Sequence, residues 1–273
     1  MEKISFPFLN VKLEISNVAF EIFGVEIYWY AIIMISAILV AILISKLISG
    51  KFGITIDQIL DLSLFAIPIA ILSARIYFCL FNLDFYLKRP SQILNIRNGG
   101  LAIYGAIIGG IITAIIFCRK RKIDILDLTD FAAPCLAIGQ AIGRWGNFVN
   151  VEAYGNQTQI FCRMGIYEAG KYVEVHPTFL YESIATLLIF IVLIELQNKR
   201  MFKGQITLTY FFLYSIVRTL IEGLRIDSLM LGSFRISQIL SVFIFIISTI
   251  LLIKFTLKYK KENNKTMSKK INN

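Results

Sequence analysis

Apolar residues in this chain fall in long, nearly unbroken runs rather than in the alternating or one-faced patterns of a soluble domain. Residues 27–45, 99–118 and 236–253 contain no Asp, Glu, Lys or Arg. Four further runs, roughly 59–81, 126–148, 178–196 and 205–223, are apolar with a few polar interruptions. A helix needs about 20 mostly apolar residues to cross a bilayer. Seven such runs in succession, joined by short connectors, predict an all-α polytopic membrane protein of about seven transmembrane helices. A barrel would instead show alternating strands of about ten residues.

Basic residues set the expected orientation, because positively charged connectors stay in the cytoplasm. Lys46 and Lys51, the run Arg119–Lys122, then Lys199, Arg200 and Lys203, and the tail beginning at Lys254 all fall on one side of a seven-span chain. That side is expected to be cytoplasmic, with the C-terminus inside and the N-terminus outside. A small extracytoplasmic head is expected between the fourth and fifth spans. Residues 1–257 read as a single integral membrane catalytic domain, and 258–273 as a basic cytoplasmic tail without fixed structure. Residues 1–21 carry five charges and no apolar stretch ahead of a cleavage site, so they do not read as a signal peptide. Phe6, Phe8, Leu9, Leu13, Ile15, Val18 and Phe20 fit either a segment lying on the outer membrane surface or a flexible leader.

Composition agrees with a membrane setting. Of 273 residues, 57% are hydrophobic and 17% charged, and mean hydropathy is +0.71; soluble chains average roughly 45–50% apolar and about 25% charged. The net charge of +10 is concentrated in the connectors and tail, so it reports topology, and nucleic acid is not an expected partner. Cys79, Cys118, Cys135 and Cys162 form no CxxC pair, and there is one histidine. Neither a disulfide framework nor a metal centre is implied.

Ionisable groups within or beside spans are costly and mark function by default. On the expected outer side these are Arg75, Arg144, Glu152, Glu182, Arg218, Glu222, Arg225 and Arg235. Tyr214, Arg218 and Glu222 recur at i, i+4 and i+8, on one helix face, with Arg225 one turn further. That spacing serves an internal ion pair, a reactive site, or both. In the stretch from Gly139 to Gly155, Arg144 and Asn147 lie one turn apart, followed by Asn150 and Glu152. A guanidinium fork beside side-chain amides suits a phosphate headgroup. Asn98–Gly110 is glycine-rich and includes Tyr104, a hydroxyl in an otherwise small-residue lining. His176-Pro177-Thr178 reads as a helix start.

These stretches resemble the prolipoprotein diacylglyceryl transferase family. Gly143–Gly155 matches its Gly-Arg-x-Gly-Asn-Phe-x-Asn-x-Glu-x-x-Gly signature. Gly99–Gly105, Asp130–Pro134, His176–Glu182, the Tyr214–Arg218–Glu222–Arg225 spacing and Ile236-Ser237-Gln238 follow in the family's order, and the similarity runs from Trp29-Tyr30 to the last span. The resemblance implies transfer of the diacylglyceryl group of phosphatidylglycerol to the lipobox cysteine of a prolipoprotein, outside the bacterial cytoplasmic membrane. It implies no cofactor and no metal; its partners are phosphatidylglycerol, prolipoprotein signal peptides and membrane lipids. It also implies catalytic roles for Arg144, Arg218, Tyr104, Tyr30 and Glu222, and phosphatidylglycerol binding by Arg144, Asn147, Asn150, Glu152, Tyr214 and Arg225.

One position departs from the pattern. The family commonly has histidine, proposed as a base, where this chain has Tyr104. With a pKa near about 10, tyrosine is a poor base at neutral pH, so Tyr104 is expected to orient a group by hydrogen bonding. A transporter also carries charges in spans, but no inverted repeat is visible and the charges gather at one face. A scaffold without chemistry leaves the Arg144-x-x-Asn147-x-x-Asn150 spacing unexplained.

Overall fold

The computed structural model describes residues 2–95, 99–232 and 234–271; Asn98, at the start of the glycine-rich stretch, lies outside them. Helices dominate: α1 (Trp29–Ile48), α2 (Ile56–Leu80), the short α3 (Leu83–Lys88), α4 (Ile103–Arg121), α5 (Ile125–Val149), α6 (Thr178–Gln197), α7 (Gln205–Leu224) and α8 (Ile236–Ile271). Among the described residues, α1, α2, α4, α5, α6 and α8 are long and apolar enough to cross a membrane. The expected sixth span, α7, equals α6 in length but carries Gln205, Arg218, Glu222, three threonines and two tyrosines, and is not among those six. The tail from residue 258, expected to lack structure, instead continues α8 to Ile271.

The all-α expectation is corrected by eight short strands among the described residues. The N-terminal segment, read as either a surface-lying segment or a flexible leader, folds as strands: β1 (Glu2–Phe6) and β2 (Val11–Ile15) form an antiparallel hairpin, and β3 (Val18–Ile22) pairs with β4 (Val25–Tyr28). The expected head between α5 and α6 contains β5 (Met164–Glu168) and β6 (Lys171–Val175), with β1 joined to β5, so one four-stranded sheet runs β2-β1-β5-β6. A small hairpin, β7 (Met230–Leu231) with β8 (Phe234–Arg235), precedes α8. Lys-Ile-Ser-Phe (residues 3–6) and Val-Lys-Leu-Glu-Ile alternate polar and apolar residues, the period-2 signature of a strand. Runs of five residues escape a search tuned to 20-residue apolar segments.

Two compact units result. One comprises residues 1–44 and 130–273, the other 45–129. In the second, α2 begins with a capping box, Thr55 and Gln58 each bonding the other's backbone N–H. Gly105 and Gly109 of α4 face Ser73, Ala74 and Tyr77 of α2 so closely that a Cβ at either would overlap them, the small-residue packing common in membranes. Arg121 and Asp61 form an ion pair. Arg75, one of the eight ionisable candidates, is 5% exposed. Its guanidinium donates to the carbonyls of Gln92, Ile93, Asn95, Gly99 and Gly100. Five carbonyls use its five donors, so Arg75 organises the chain between α3 and α4.

In the first unit, Ile4, Met164, Ile166 and Val175 of the sheet pack on Phe148 and Val149, at the end of α5, and on Phe179, at the start of α6. Each such side chain stabilises by roughly 1.5–3 kcal/mol when fully buried. The sheet thereby fixes the ends of two of the three helices that carry the polar site residues. Asp130, fully buried on α5, fixes the third: it accepts from the N–H groups of Gly204 (2.7 Å) and Thr207 (2.8 Å) and pairs with Arg200 at 2.8 Å. These N–H groups belong to the unsatisfied first turn of α7, so Asp130 sets the position from which Tyr214, Arg218 and Glu222 follow at turn spacing.

Candidate active site

Glu182 is the centre of the polar cluster. It lies in the first turns of α6 and is 1% exposed. Its Oε1 accepts from Arg144 Nη2 at 2.5 Å and from Tyr214 OH at 2.9 Å. Arg218 Nη1 stands 3.5 Å from its Oε2. Arg218 Nη2 reaches Glu222 Oε2, one turn along α7, at 2.5 Å; that oxygen is buried and makes no well-aligned hydrogen bond, so the contact is an ion pair rather than a directed bond. Three helices thus contribute two guanidiniums and two carboxylates, balanced in charge.

The exposures of the four groups differ in a way that matters chemically. The side chains of Glu182 and Glu222 are 2% exposed, whereas those of Arg144 and Arg218 are 21% and 19% exposed. The carboxylates sit behind and hold the guanidiniums, which keep an open side. Arg144 has five N–H donors, of which Nη1 donates to Asn147 Oδ1 at 3.1 Å and Nη2 to Glu182. The remaining donors have no partner among the described residues and can take an anion. Asn147 in turn donates to Glu152 Oε1 at 2.8 Å, across a turn in which Val151 and Ala153 take positive φ.

Aromatic side chains frame the cluster. Tyr210 stacks on Tyr214 with centroids 5.6 Å apart and donates to Gln140 Oε1 at 2.9 Å. Trp145 Nε1 donates to Ser183 Oγ, which donates to the Ala141 carbonyl, tying α5 to α6. Tyr30, in the first turn of α1, lays its ring on Gly146, where a Cβ would come within 2.7 Å of it. Gly146→Ala should therefore displace Tyr30 at a cost of about 1–3 kcal/mol for overpacking. Thermal unfolding in detergent and turnover should both fall; an unchanged melting point and rate would show that the ring yields freely. At Gly155 an added Cβ would meet His176, Thr178 and the Leu224 carbonyl, which explains the last glycine of the signature: the loop passes between the start of α6 and the end of α7.

Of the expected site residues, the structure joins Arg144, Asn147, Glu152, Tyr214, Arg218 and Glu222 in one network, with Tyr30 against Gly146. Asn150 donates its backbone N–H to Gly146, and its side chain makes no hydrogen bond among the described residues. Arg225 engages Asp227 instead, donating from Nε at 2.9 Å and Nη2 at 2.7 Å; this bonding holds the Asp227 carboxyl below its ordinary range. Tyr104 belongs to the other unit. It is 39% exposed, its ring is tilted against Tyr77 with centroids 6.4 Å apart, and its hydroxyl has no partner among the described residues. His176 contacts the Tyr181 hydroxyl through Nδ1 at 3.3 Å, and burial lowers its pKa below the usual imidazole value.

A family model described as prolipoprotein diacylglyceryl transferase matches residues 17–254. The chain belongs to the prolipoprotein diacylglyceryl transferase family. A phosphatidylglycerol–prolipoprotein diacylglyceryl transferase of Finegoldia magna is 43% identical over 250 residues, covering 91% of this chain and 99% of that protein. The enzyme of the same name from Clostridium novyi is 45% identical over 251 residues, covering 89% and 97%, and one from Bacillus cereus is 41% identical over 248, covering 88% and 92%. For a diacylglyceryl transferase the residue missing from the expected site is Glu182. It stood among the ionisable candidates, but helical spacing relates residues within one helix, and Glu182 acts by joining α5 to α7.

Proposed function

We propose that this protein transfers the diacylglyceryl group of phosphatidylglycerol to the lipobox cysteine of a prolipoprotein, in the bacterial cytoplasmic membrane, as the first step of lipoprotein maturation. The substrate thiol attacks the glyceryl carbon bonded to the phosphate oxygen. A carbon–sulfur bond forms, the carbon–oxygen bond breaks, and glycerol 1-phosphate leaves. Negative charge grows on the departing phosphate. Guanidiniums already fixed by buried carboxylates stabilise that charge without reorganising, which is where electrostatic catalysis is strongest. The open sides of Arg144 and Arg218, backed by Glu182 and Glu222, carry the reading.

Asn147 and Glu152 hold the Arg144 fork at the angle that two-point phosphate binding needs, and Glu222 and Glu182, the latter bonded by Tyr214, do the same for Arg218. Asn150 and Arg225 border the headgroup. The substrate thiol has an unperturbed pKa of about 8.5, so only a few per cent is thiolate at pH 7; the nearby positive charge of the arginines favours the thiolate. Tyr104 orients the thiol or the phosphate. In the membrane α7 is also a span, the sixth of seven, admitted despite its polar residues because its charges pair with α5 and α6. The N-terminus and the four-stranded head lie outside, and the basic connectors and tail lie in the cytoplasm.

The test is direct. Purified protein, phosphatidylglycerol vesicles and a lipobox peptide should yield thioether-lipidated peptide and released glycerol phosphate in equal amounts; absence of both would end the transferase reading. Tyr104→Phe should keep turnover within about tenfold of wild type, the range left when a hydrogen bond of roughly 0.5–1.5 kcal/mol is removed. Abolished turnover in Tyr104→Phe, restored with a shifted pH–rate profile in Tyr104→His, would make position 104 the base.

A further inference from the structure

A groove of about 300 Å³ runs between α7 and α8, lined by Leu208, Phe211, Ile244, Ile247, Ser248 and Leu251. We infer that it seats one acyl chain of the diacylglyceryl donor whose phosphate rests on Arg144 and Arg218, an assignment that rests on the phosphatidylglycerol reading above. The lining is hydrocarbon apart from Ser248, which is 1% exposed and spends its hydroxyl on the Phe245 carbonyl. No donor or acceptor is offered to a polar ligand. Both helices are membrane-spanning in this reading, so the occupant is a lipid chain; the structure also indicates which lipid.

Phe211, Ser215, Arg218 and Glu222 follow one another at i, i+4, i+7 and i+11, which is a single stripe along α7. The groove and the ion cluster therefore share one face. At 1.5 Å per residue, Phe211 lies about 10 Å and Leu208 about 15 Å along the helix axis from Arg218. On the partner helix, Ile244, Ile247, Ser248 and Leu251 repeat at i, i+3, i+4 and i+7, again one stripe.

The two helices are antiparallel and held in register. Arg235 donates to the Glu222 carbonyl, Gln238 to the Thr219 carbonyl at 3.0 Å, and Phe245 stacks on Phe212 with centroids 5.2 Å apart. The groove thus begins below the arginines and runs away from them, toward the basic end of the chain. A headgroup at Arg144 and Arg218 leaves its glyceryl carbon above the groove and its acyl chain pointing into it. Phe211 and Ile247 are 41% and 55% exposed, so the groove opens sideways to the bilayer, and a chain can enter without crossing protein.

Filling the groove tests the assignment. Ile247→Trp should be compared with wild type for transfer from dipalmitoyl and from dioctanoyl phosphatidylglycerol, in micelles, with a lipobox peptide as acceptor. The short chains end near Phe211 and the long ones pass the substitution. The preference for the long-chain donor, as a ratio of kcat/KM values, should fall about tenfold, mainly through KM, since about 1.4 kcal/mol is a factor of ten. Leu220→Trp, on an exposed face of α7 away from the groove, should leave the ratio unchanged. Should Ile247→Trp not fold, Leu251→Phe, further from the arginines on the same stripe, makes the same test with a smaller addition. Wild-type turnover with an unaltered ratio in the filled variants would mean that only bulk lipid occupies the groove. Wild-type protein inactive with both donors would remove the transferase reading and the groove assignment together.

Discussion

Glu182→Ala should unfold the protein well below the wild-type melting temperature and leave no measurable lipidation. Glu182 is the shared acceptor of Arg144, Arg218 and Tyr214, at 2.5, 3.5 and 2.9 Å, and is 1% exposed. Removing it leaves two guanidiniums facing each other with only Glu222 to offset them. Breaking a buried ion pair by deleting one partner costs about 3–5 kcal/mol, because the remaining charge is stranded. Glu182→Gln preserves shape and one carbonyl acceptor but not the charge, so it should fall between wild type and alanine in stability while still losing turnover. Thermal unfolding in detergent beside the lipidation rate separates the two effects. A wild-type melting point in Glu182→Ala would show that the cluster is not held by this carboxylate.

Arg144→Ala and Arg144→Lys should each lower kcat about 10²–10³-fold, the loss seen when one preorganised donor to a developing anion is removed. Lysine keeps the charge but not the fork: one ammonium cannot bond Asn147 and Glu182 and still present two N–H groups to phosphate. The fold should survive better than in the Glu182 variants, since Glu182 retains Arg218 and Tyr214 as partners. Full activity in Arg144→Lys would reduce the residue to a point charge.

Much of this site was legible along the chain. Arg144, Asn147 and Glu152 fall within one signature, and Tyr214, Arg218 and Glu222 within one helical stripe, because helical periodicity places such residues on a common face. Periodicity says nothing of what faces that stripe. Glu182 was one carboxylate among eight ionisable groups, and only packing shows that it bridges two arginines on different helices. Arg75 illustrates the opposite case: a buried charge that looked functional is consumed by five backbone carbonyls. Arg225 takes its expected headgroup role from the resemblance, and spacing alone could not show that α7 ends at Leu224 and that the side chain also engages Asp227. The strands escaped notice because each is only two to five residues long and lies outside or at the edge of the apolar runs; the non-local pairing leaves no mark either, since nothing within Glu2–Phe6 announces that its neighbour is Met164–Glu168.

That non-local pairing constrains the order in which the molecule can be assembled. Ser5 pairs with Gly165, and four of the six apolar helices, α1, α2, α4 and α5, lie between them in sequence. During synthesis the β1–β2 hairpin must wait, with its inner edge unpaired, until those helices are made and β5 follows. Long-range strand pairing is slow to form and exposes edges while it waits. The unit formed by residues 45–129 is made entirely within that interval. Closure of the four-stranded sheet is therefore a late event, and the ends of α5 and α6 that carry Arg144 and Glu182 acquire their final packing only when the oldest and youngest parts of the sheet meet.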